Sequence, residues 1–158
     1  MKINPLFLLG GLVLILVTGF GAKKVYNMTR GLKNNNPGNI RHSNSKWQGA
    51  SPEKTDASFV TFLTPEFGIR ALAVLVKNYM LKHKIDTVTG IISRWAPTNE
   101  NDTTSYINSV AKKTGFKPDE KLTPTPDTLV KLAKAIIHHE NGMNPYSDET
   151  IKKAVGMI

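Results

Sequence analysis

The chain has 158 residues, of which 40% are hydrophobic and 21% charged, so it can form one folded domain but not a multidomain enzyme or a long solenoid. It contains no cysteine, which excludes disulfide scaffolds, thiolate zinc sites and cysteine nucleophiles. A formal net charge of +9 indicates a polyanionic partner: an acidic cell-wall polymer, anionic lipid or nucleic acid. Because the basic residues are scattered and no Arg-rich helix occurs, no specific binding to nucleic acid is expected.

The first 22 residues differ in composition from the rest of the chain. Residues 5–22 carry no charge, and as a helix they would measure about 27 Å, close to the hydrocarbon thickness of a bilayer. We therefore interpret residues 1–22 as a transmembrane anchor that contacts the lipid bilayer through residues 5–22. A basic linker at 23–30 and a domain at 31–158 follow. The alternative is a cleaved signal peptide, and the membrane orientation stays open.

The predicted domain begins with a small β element. Residues 31–39 are rich in Asn and Gly, which tolerate positive φ, and include a Pro, which fixes the direction of the chain. Ile40 and Arg41 form a predicted short strand, and residues 59–63 form a second β-prone run bounded by turn residues. We expect these two segments to pair as a hairpin.

Five helices are predicted after this β element. The first begins at Thr64 and Pro65, since a hydroxyl residue followed by proline is typical of a helix start, and its apolar positions recur at helical spacing. The other four are predicted from about Asp86 to Trp95, from Asp102 to Gly115, from Thr125 to Gly142, and from Ser147 through Val155. The pattern predicts an α+β fold that is mostly helical.

Without cysteine, the chemistry has to come from carboxylates, hydroxyls or imidazoles. His138 and His139 are adjacent, so on a helix they point about 100° apart and cannot form a paired metal site alone. No H-E-x-x-H spacing, nucleophile elbow or phosphate-binding glycine loop occurs. Neither a metal nor a cofactor is therefore predicted.

Glu140 is the candidate catalytic residue. It continues the apolar stripe of its predicted helix, which runs through Leu129, Leu132, Ile136 and Ile137. A carboxyl group on a buried stripe loses solvation, which disfavours its charged form, and a carboxylic acid that keeps its proton is what glycosidic bond cleavage requires. The structural alternative is that the last turn frays into water or that Glu140 pairs with Lys134 or Lys153.

Glu66 is the alternative acid. It lies in the first turn of a predicted helix, where the helix dipole stabilises a carboxylate without any catalytic role. Asp102 is interpreted as the N-cap of its helix.

Two stretches resemble motifs of lysozyme-like enzymes. Residues 139–147, read as H-E-N-G-M-N-P-Y-S, resemble the E-S-G-x-N-P motif of lytic transglycosylases, in which the Glu is the general acid/base. Residues 35–41 and 47–49, with Phe59 and Phe62, resemble a stretch of bacterial endo-N-acetylglucosaminidases. In both families the Glu helix comes first, whereas here it comes last. The resemblance therefore implies a lysozyme-like fold and allows for a circular permutation.

As a whole, residues 31–158 are similar to small virion-associated proteins of phages and prophages. The shared stretches are 31–41, 64–71 and 94–103. This resemblance implies a role in cutting peptidoglycan while a phage enters or leaves its host. Tailless phages carry such enzymes anchored in an internal membrane, so the expected localisation is single-pass in that membrane, or otherwise in the bacterial inner membrane.

The sequence and the resemblances together predict a membrane-anchored muralytic enzyme. Glu140 would cleave the bond between N-acetylmuramic acid and N-acetylglucosamine in peptidoglycan strands, as a lytic transglycosylase or as a hydrolase. The alternative is a noncatalytic virion protein that binds the wall or links membrane to capsid, with other virion proteins as candidate partners. The predicted substrate-binding residues are Asn35, Asn36, Asn39, Arg41, Trp47, Tyr106, Asn144 and Tyr146.

Overall fold

The computed structural model describes residues 28–99 and 101–158. Over these residues the chain is a bundle of short and medium helices joined by irregular loops. The helices are α1 (Arg30–Lys33), α2 (Pro65–Lys82), α3 (Val88–Trp95), α4 (Thr103–Thr114), α5 (Pro126–Asn141) and α6 (Asp148–Val155). The five predicted helices are confirmed, whereas α1 forms in a segment that was predicted as turn.

Side-chain caps explain where most of these helices begin. In five of them the N-cap side chain accepts a hydrogen bond from the backbone N–H three residues later. These N-caps are Thr29, Thr87, Asp102, Thr125 and Ser147. Thr64 also occupies an N-cap position, but its side chain caps no backbone N–H, so Pro65 is the stronger signal at the start of α2.

The predicted α+β class is wrong for the described residues. The predicted hairpin is replaced by two isolated antiparallel bridges, Arg41 with Phe59 and Ala50 with Phe62. The buried side-chain amide of Asn36 donates to the carbonyl groups of Ile40 and Val60. The backbone N–H of Val60 also donates to the carbonyl of Ile40, whereas that of Phe62 donates to Asn34, so the 59–63 segment changes its partner after one bridge and no ladder forms. The expected lysozyme-like α+β architecture is corrected to a helical domain.

The expected single-pass membrane localisation is also corrected. Over residues 28–99 and 101–158, no helix combines the length and the apolar character needed to cross a bilayer. The anchor predicted at 1–22, and most of the linker predicted at 23–30, lie outside the described residues.

Helix α5 lies at the centre of the packing, because it contacts α2, α4 and α6. Its side chains Leu132, Ile136 and Ile137 are fully buried, and burial of each contributes about 1.5–3 kcal/mol. The helix continues through Asn141 before it ends at Gly142, so its last turn does not fray. Packing of the stripe therefore fixes the orientation of the last turn, which carries Glu140.

The loop after α1 is built by asparagines. Asn35 and Asn39 adopt φ values of 50° and 51°, in the left-handed region that asparagine tolerates. Gly68 of α2 packs against this loop, and a Cβ at that position would lie 1.9 Å from the carbonyl oxygen of Asn35. Asn141, at the end of α5, donates to the carbonyl of Pro37 at 2.8 Å. These contacts hold Asn39 against the last turn of α5.

Candidate functional site

Glu140 is the carboxylate around which the candidate site is built. Its Oε1 atom accepts hydrogen bonds from the hydroxyl of Tyr106 at 2.8 Å and from the indole N–H of Trp95 at 3.2 Å. Its Oε2 atom accepts one from the side-chain amide of Asn39 at 2.8 Å. All three donors are neutral. They fix the orientation of the carboxylate without neutralising its charge.

The lysines considered as structural partners of Glu140 bind elsewhere. Lys134 lies 2.6 Å from Asp148, and Lys153 lies 3.9 Å from Glu66. The half-buried carboxylate of Glu140 is therefore not explained by an ion pair with either lysine.

Elements distant in sequence bring the three donors to Glu140. Asn39 comes from the loop after α1, Trp95 is the last residue of α3, and Tyr106 lies in the first half of α4. Thr103 donates to the carbonyl of Ala96 at 2.6 Å and so ties the start of α4 to the end of α3. The donors are therefore held by packing and backbone contacts, as a preorganised site requires.

A cleft of about 420 Å³ opens on one side of Glu140. We call it the aromatic pocket, because four aromatic side chains line it together with Asn39 and Arg41. The aromatic residues are Trp47, Phe59, Tyr79 and Trp95. Aromatic faces combined with a few polar groups suit a sugar, whose pyranose ring has an apolar face and hydroxyl edges.

A smaller pocket of about 270 Å³ also adjoins Glu140. We call it the polar pocket, since Asn101, Asp102, Ser105, Tyr106 and His139 line it with Glu140. Asn101 and Glu140 line both pockets. Glu140 therefore lies at the boundary between the two.

The aromatic groups beside Glu140 stay neutral near pH 7. Burial raises the pKa of Tyr106, and the adjacent charge of Glu140 raises it further, so the phenol remains a hydrogen-bond donor. Burial lowers the pKa of His139 and outweighs the opposite effect of Glu140. The His139 ring stacks on Tyr106 at 3.6 Å between centroids. Among the described residues, no group of three metal-binding side chains lies close enough to hold a metal ion.

Four of the predicted substrate-binding residues lie at this site. Asn39, Arg41 and Trp47 line the aromatic pocket, and Tyr106 lines the polar pocket. The guanidinium of Arg41 lies 5.3 Å from the centroid of the Phe59 ring, which fixes part of the pocket wall.

The other four predicted substrate-binding residues lie elsewhere or serve the fold. Asn35 donates to the carbonyl of Phe62, and the amide of Asn36 is fully buried in backbone contacts. Asn144 lines a separate groove, and Tyr146 lines a third, mostly apolar pocket. Burial raises the pKa of Tyr146 to about 12.

Glu66, the alternative acid, lines neither the aromatic nor the polar pocket. Its own backbone N–H and the hydroxyl of Thr64 hold the pKa of this carboxyl below its usual range, as does the nearby Lys153. Glu66 thus has the environment of an ionised residue in a first helical turn, which does not suit a proton donor.

Sequence reasoning did not single out Trp95 or Ser105 as functional residues. Trp95 was interpreted only as the end of a helix, although the stretch 94–103 contains Trp95, Asn101 and Asp102 within ten residues. That stretch is one of those shared with the phage proteins, and this similarity could have indicated a functional role for its residues.

The chain is similar in sequence to a phage protein. No family model matches it. Over 133 residues it is 42% identical to Protein P5 of Pseudoalteromonas phage PM2, an alignment that covers 82% of this chain and 82% of that protein. Identity at this level over most of both chains is what members of one family show.

Proposed function

This chain belongs to the same family as Protein P5 of Pseudoalteromonas phage PM2, and on that premise we propose that it is a phage enzyme that cleaves the glycan strands of bacterial peptidoglycan. The expected relationship to phage proteins is thereby confirmed. The proposed cleavage of peptidoglycan is supported by the surroundings of Glu140 and by the motif resemblance of residues 139–147.

One observation carries this proposal. The carboxylate of Glu140 is held by three neutral donors at the boundary of two pockets, one of them aromatic. A carboxylate that only stabilised the fold would be expected to pair with a cation or to face solvent. A general acid for glycosidic cleavage has to lie in a groove that admits a sugar chain, with its carboxyl group directed and accessible.

The hydrogen bonds of Glu140 indicate which oxygen delivers the proton. Oε1 accepts from both Tyr106 and Trp95, whereas among the described residues Oε2 accepts only from Asn39. Oε2 therefore keeps the capacity to carry a proton and donate it to the glycosidic oxygen.

The aromatic pocket supplies binding and orientation. Trp47 and Trp95 present aromatic rings to the apolar face of a sugar, and Asn39 presents an amide on the same side of the site. The net charge of +9 adds a nonspecific attraction to an anionic wall, which salt is expected to weaken.

A digestion of purified peptidoglycan tests the proposal. The full chain is expected to release soluble muropeptides, and Glu140→Gln is expected to abolish the release while the circular dichroism spectrum stays unchanged. The substituted amide can keep its contacts with Tyr106 and Trp95, and Asn39 can turn its amide to offer an oxygen.

Glu66→Gln is the matched control, because it makes the same chemical change outside both pockets, and it is expected to remain active. Muropeptide release by Glu140→Gln would contradict the proposal. Binding to the wall without any release by the unmodified chain would favour the noncatalytic alternative instead.

A further inference from the structure

We propose that Asp102 is the second carboxylate of this site and holds the water that attacks the sugar, which makes the reaction a hydrolysis. This inference rests on the proposed function of Glu140. It adds a catalytic role to Asp102, whose presence is otherwise fully explained by its capping of α4.

The position of Glu140 divides the substrate between the pockets. A general acid protonates the oxygen that joins two sugars, so it has to lie where their two binding sites meet. Glu140 lies at the boundary of the aromatic and polar pockets. One sugar would therefore occupy each pocket, with the bond to be cleaved beside Glu140.

The polar pocket is the one that suits the sugar under attack. Of the described residues that line the two pockets, Glu140 and Asp102 are the carboxylates, and both of them line the polar pocket. Positive charge develops on the attacked sugar, so a second carboxylate stabilises the transition state from that side. The leaving sugar would then lie against the aromatic walls of the other pocket.

A second carboxylate in the polar pocket favours a water molecule as the nucleophile. In inverting glycosidases one carboxyl group protonates the leaving oxygen, and the other acts as the base that activates a water on the opposite face of the sugar.

Asp102 can act as a cap and as a base at once. Its Oδ1 atom accepts the capping hydrogen bond from the backbone N–H of Ser105 at 3.0 Å. Its Oδ2 atom appears in no hydrogen bond within the described residues, so it can accept one from a water molecule. His139 interacts electrostatically with both Glu140 and Asp102. Because burial lowers the pKa of its ring, His139 is neutral and does not cancel the charge of either acid.

The proposed step balances as a hydrolysis. The proton on Oε2 of Glu140 moves to the glycosidic oxygen as the bond between that oxygen and the sugar C1 breaks. The water oxygen bonds to C1 and its proton moves to Asp102. Exchange with solvent then removes the proton from Asp102 and returns one to Glu140. The products are a reducing end of inverted configuration and a free hydroxyl on the leaving sugar.

The capping role of Asp102 can be separated from catalysis. Asparagine is as good an N-cap as aspartate, so Asp102→Asn keeps the start of α4 and removes only the basic carboxylate. Asp127→Asn is the matched control, because Asp127 is also an exposed acid at a helix start and lines neither pocket. Asp102→Gly also retains most of the capping energy and leaves room for a small anion.

The experiment compares these full-length variants on purified glycan strands, with products identified by mass spectrometry in ¹⁸O water. The unmodified chain is expected to give reducing ends that carry one ¹⁸O atom. Asp102→Asn is expected to lower kcat roughly 100- to 10,000-fold with little change in KM, whereas Asp127→Asn stays active. Sodium azide is expected to restore cleavage by Asp102→Gly and to give a glycosyl azide, since azide needs no base.

Two outcomes would overturn the role of Asp102. The first is 1,6-anhydromuramyl ends from the unmodified chain, which would show an attack by the sugar's own hydroxyl. The second is an Asp102→Asn variant as active as Asp127→Asn. In each of these cases the proposed cleavage by Glu140 stands, whereas no cleavage by the unmodified chain would contradict both proposals.

Discussion

Removal of the Tyr106 hydroxyl tests whether the donors around Glu140 hold its carboxyl group in a working orientation. Tyr106→Phe deletes the 2.8 Å hydrogen bond to Oε1 and leaves that oxygen with the longer bond from Trp95. The ring itself is retained, so its buried packing and its stacking on His139 should persist. The substitution therefore changes the electrostatics of Glu140 more than the shape of the site.

The magnitude follows from the energy of a hydrogen bond to a charged group. Such a bond contributes about 1.5–3 kcal/mol, and each 1.36 kcal/mol corresponds to about a tenfold change in rate. The proposed acid has to direct one oxygen at the glycosidic oxygen, and without the hydroxyl its carboxyl group can rotate away from that direction. We therefore expect the kcat of Tyr106→Phe to fall by about 10- to 100-fold.

The assay is the initial rate of muropeptide release at a fixed pH, fitted for kcat and KM. Tyr79→Phe is the control, because Tyr79 also lines the aromatic pocket but lies beside Arg94 and makes no hydrogen bond with Glu140. Its kcat should stay within about twofold of that of the unmodified chain. A Tyr106→Phe variant whose kcat equals that of Tyr79→Phe would refute the reasoning.

Two further predictions concern stability, and urea denaturation measures both. Gly49 and Gly115 have φ values of 72° and 77°, but a Cβ at Gly49 would lie 2.1 Å from the Phe67 ring whereas Gly115 has open space. Gly115→Ala should therefore cost about 1 kcal/mol and Gly49→Ala at least about 3 kcal/mol; equal losses would contradict the described packing. Hydrogen bonds from Arg30, and then from Asn34 and the Ser58 backbone, hold the pKa of Asp56 below its usual range. The stability that this provides is present above about pH 4 and lost as the pH falls below it, so Asp56→Asn should lose less stability than the unmodified chain between about pH 5 and pH 3.

Local signals were enough to predict the helices. The start of α4 at Asp102 and its end at Gly115 follow from a capping carboxylate and from a glycine with positive φ, and both features depend only on nearby residues. The β hairpin was predicted wrongly because the apolar run at 59–63 has strand propensity. The side chain of Asn36, more than twenty residues earlier, binds the backbone there, and no local pattern indicates that contact.

The candidate site could likewise be predicted only in part from the sequence. The apolar stripe of α5 placed Glu140 on the inward face from sequence spacing alone. The contacts of its three donors with Glu140 could not be predicted. Asn39, Trp95 and Tyr106 are separated from Glu140 by 101, 45 and 34 residues and contact it only through packing. Asn35 and Asn36 were predicted to bind substrate together with Asn39, because all three lie in one Asn-rich loop. The side-chain amides of Asn35 and Asn36 instead donate to backbone carbonyl groups.

A crystal structure of the Glu140→Gln variant with a peptidoglycan tetrasaccharide examines the site most directly. We predict one sugar in the aromatic pocket, the next in the polar pocket, and the oxygen that joins them at about 3 Å from the side chain at position 140. A tetrasaccharide bound at the apolar pocket beside Tyr146, or one whose linking oxygens all lie beyond reach of position 140, would contradict a catalytic role for this carboxylate.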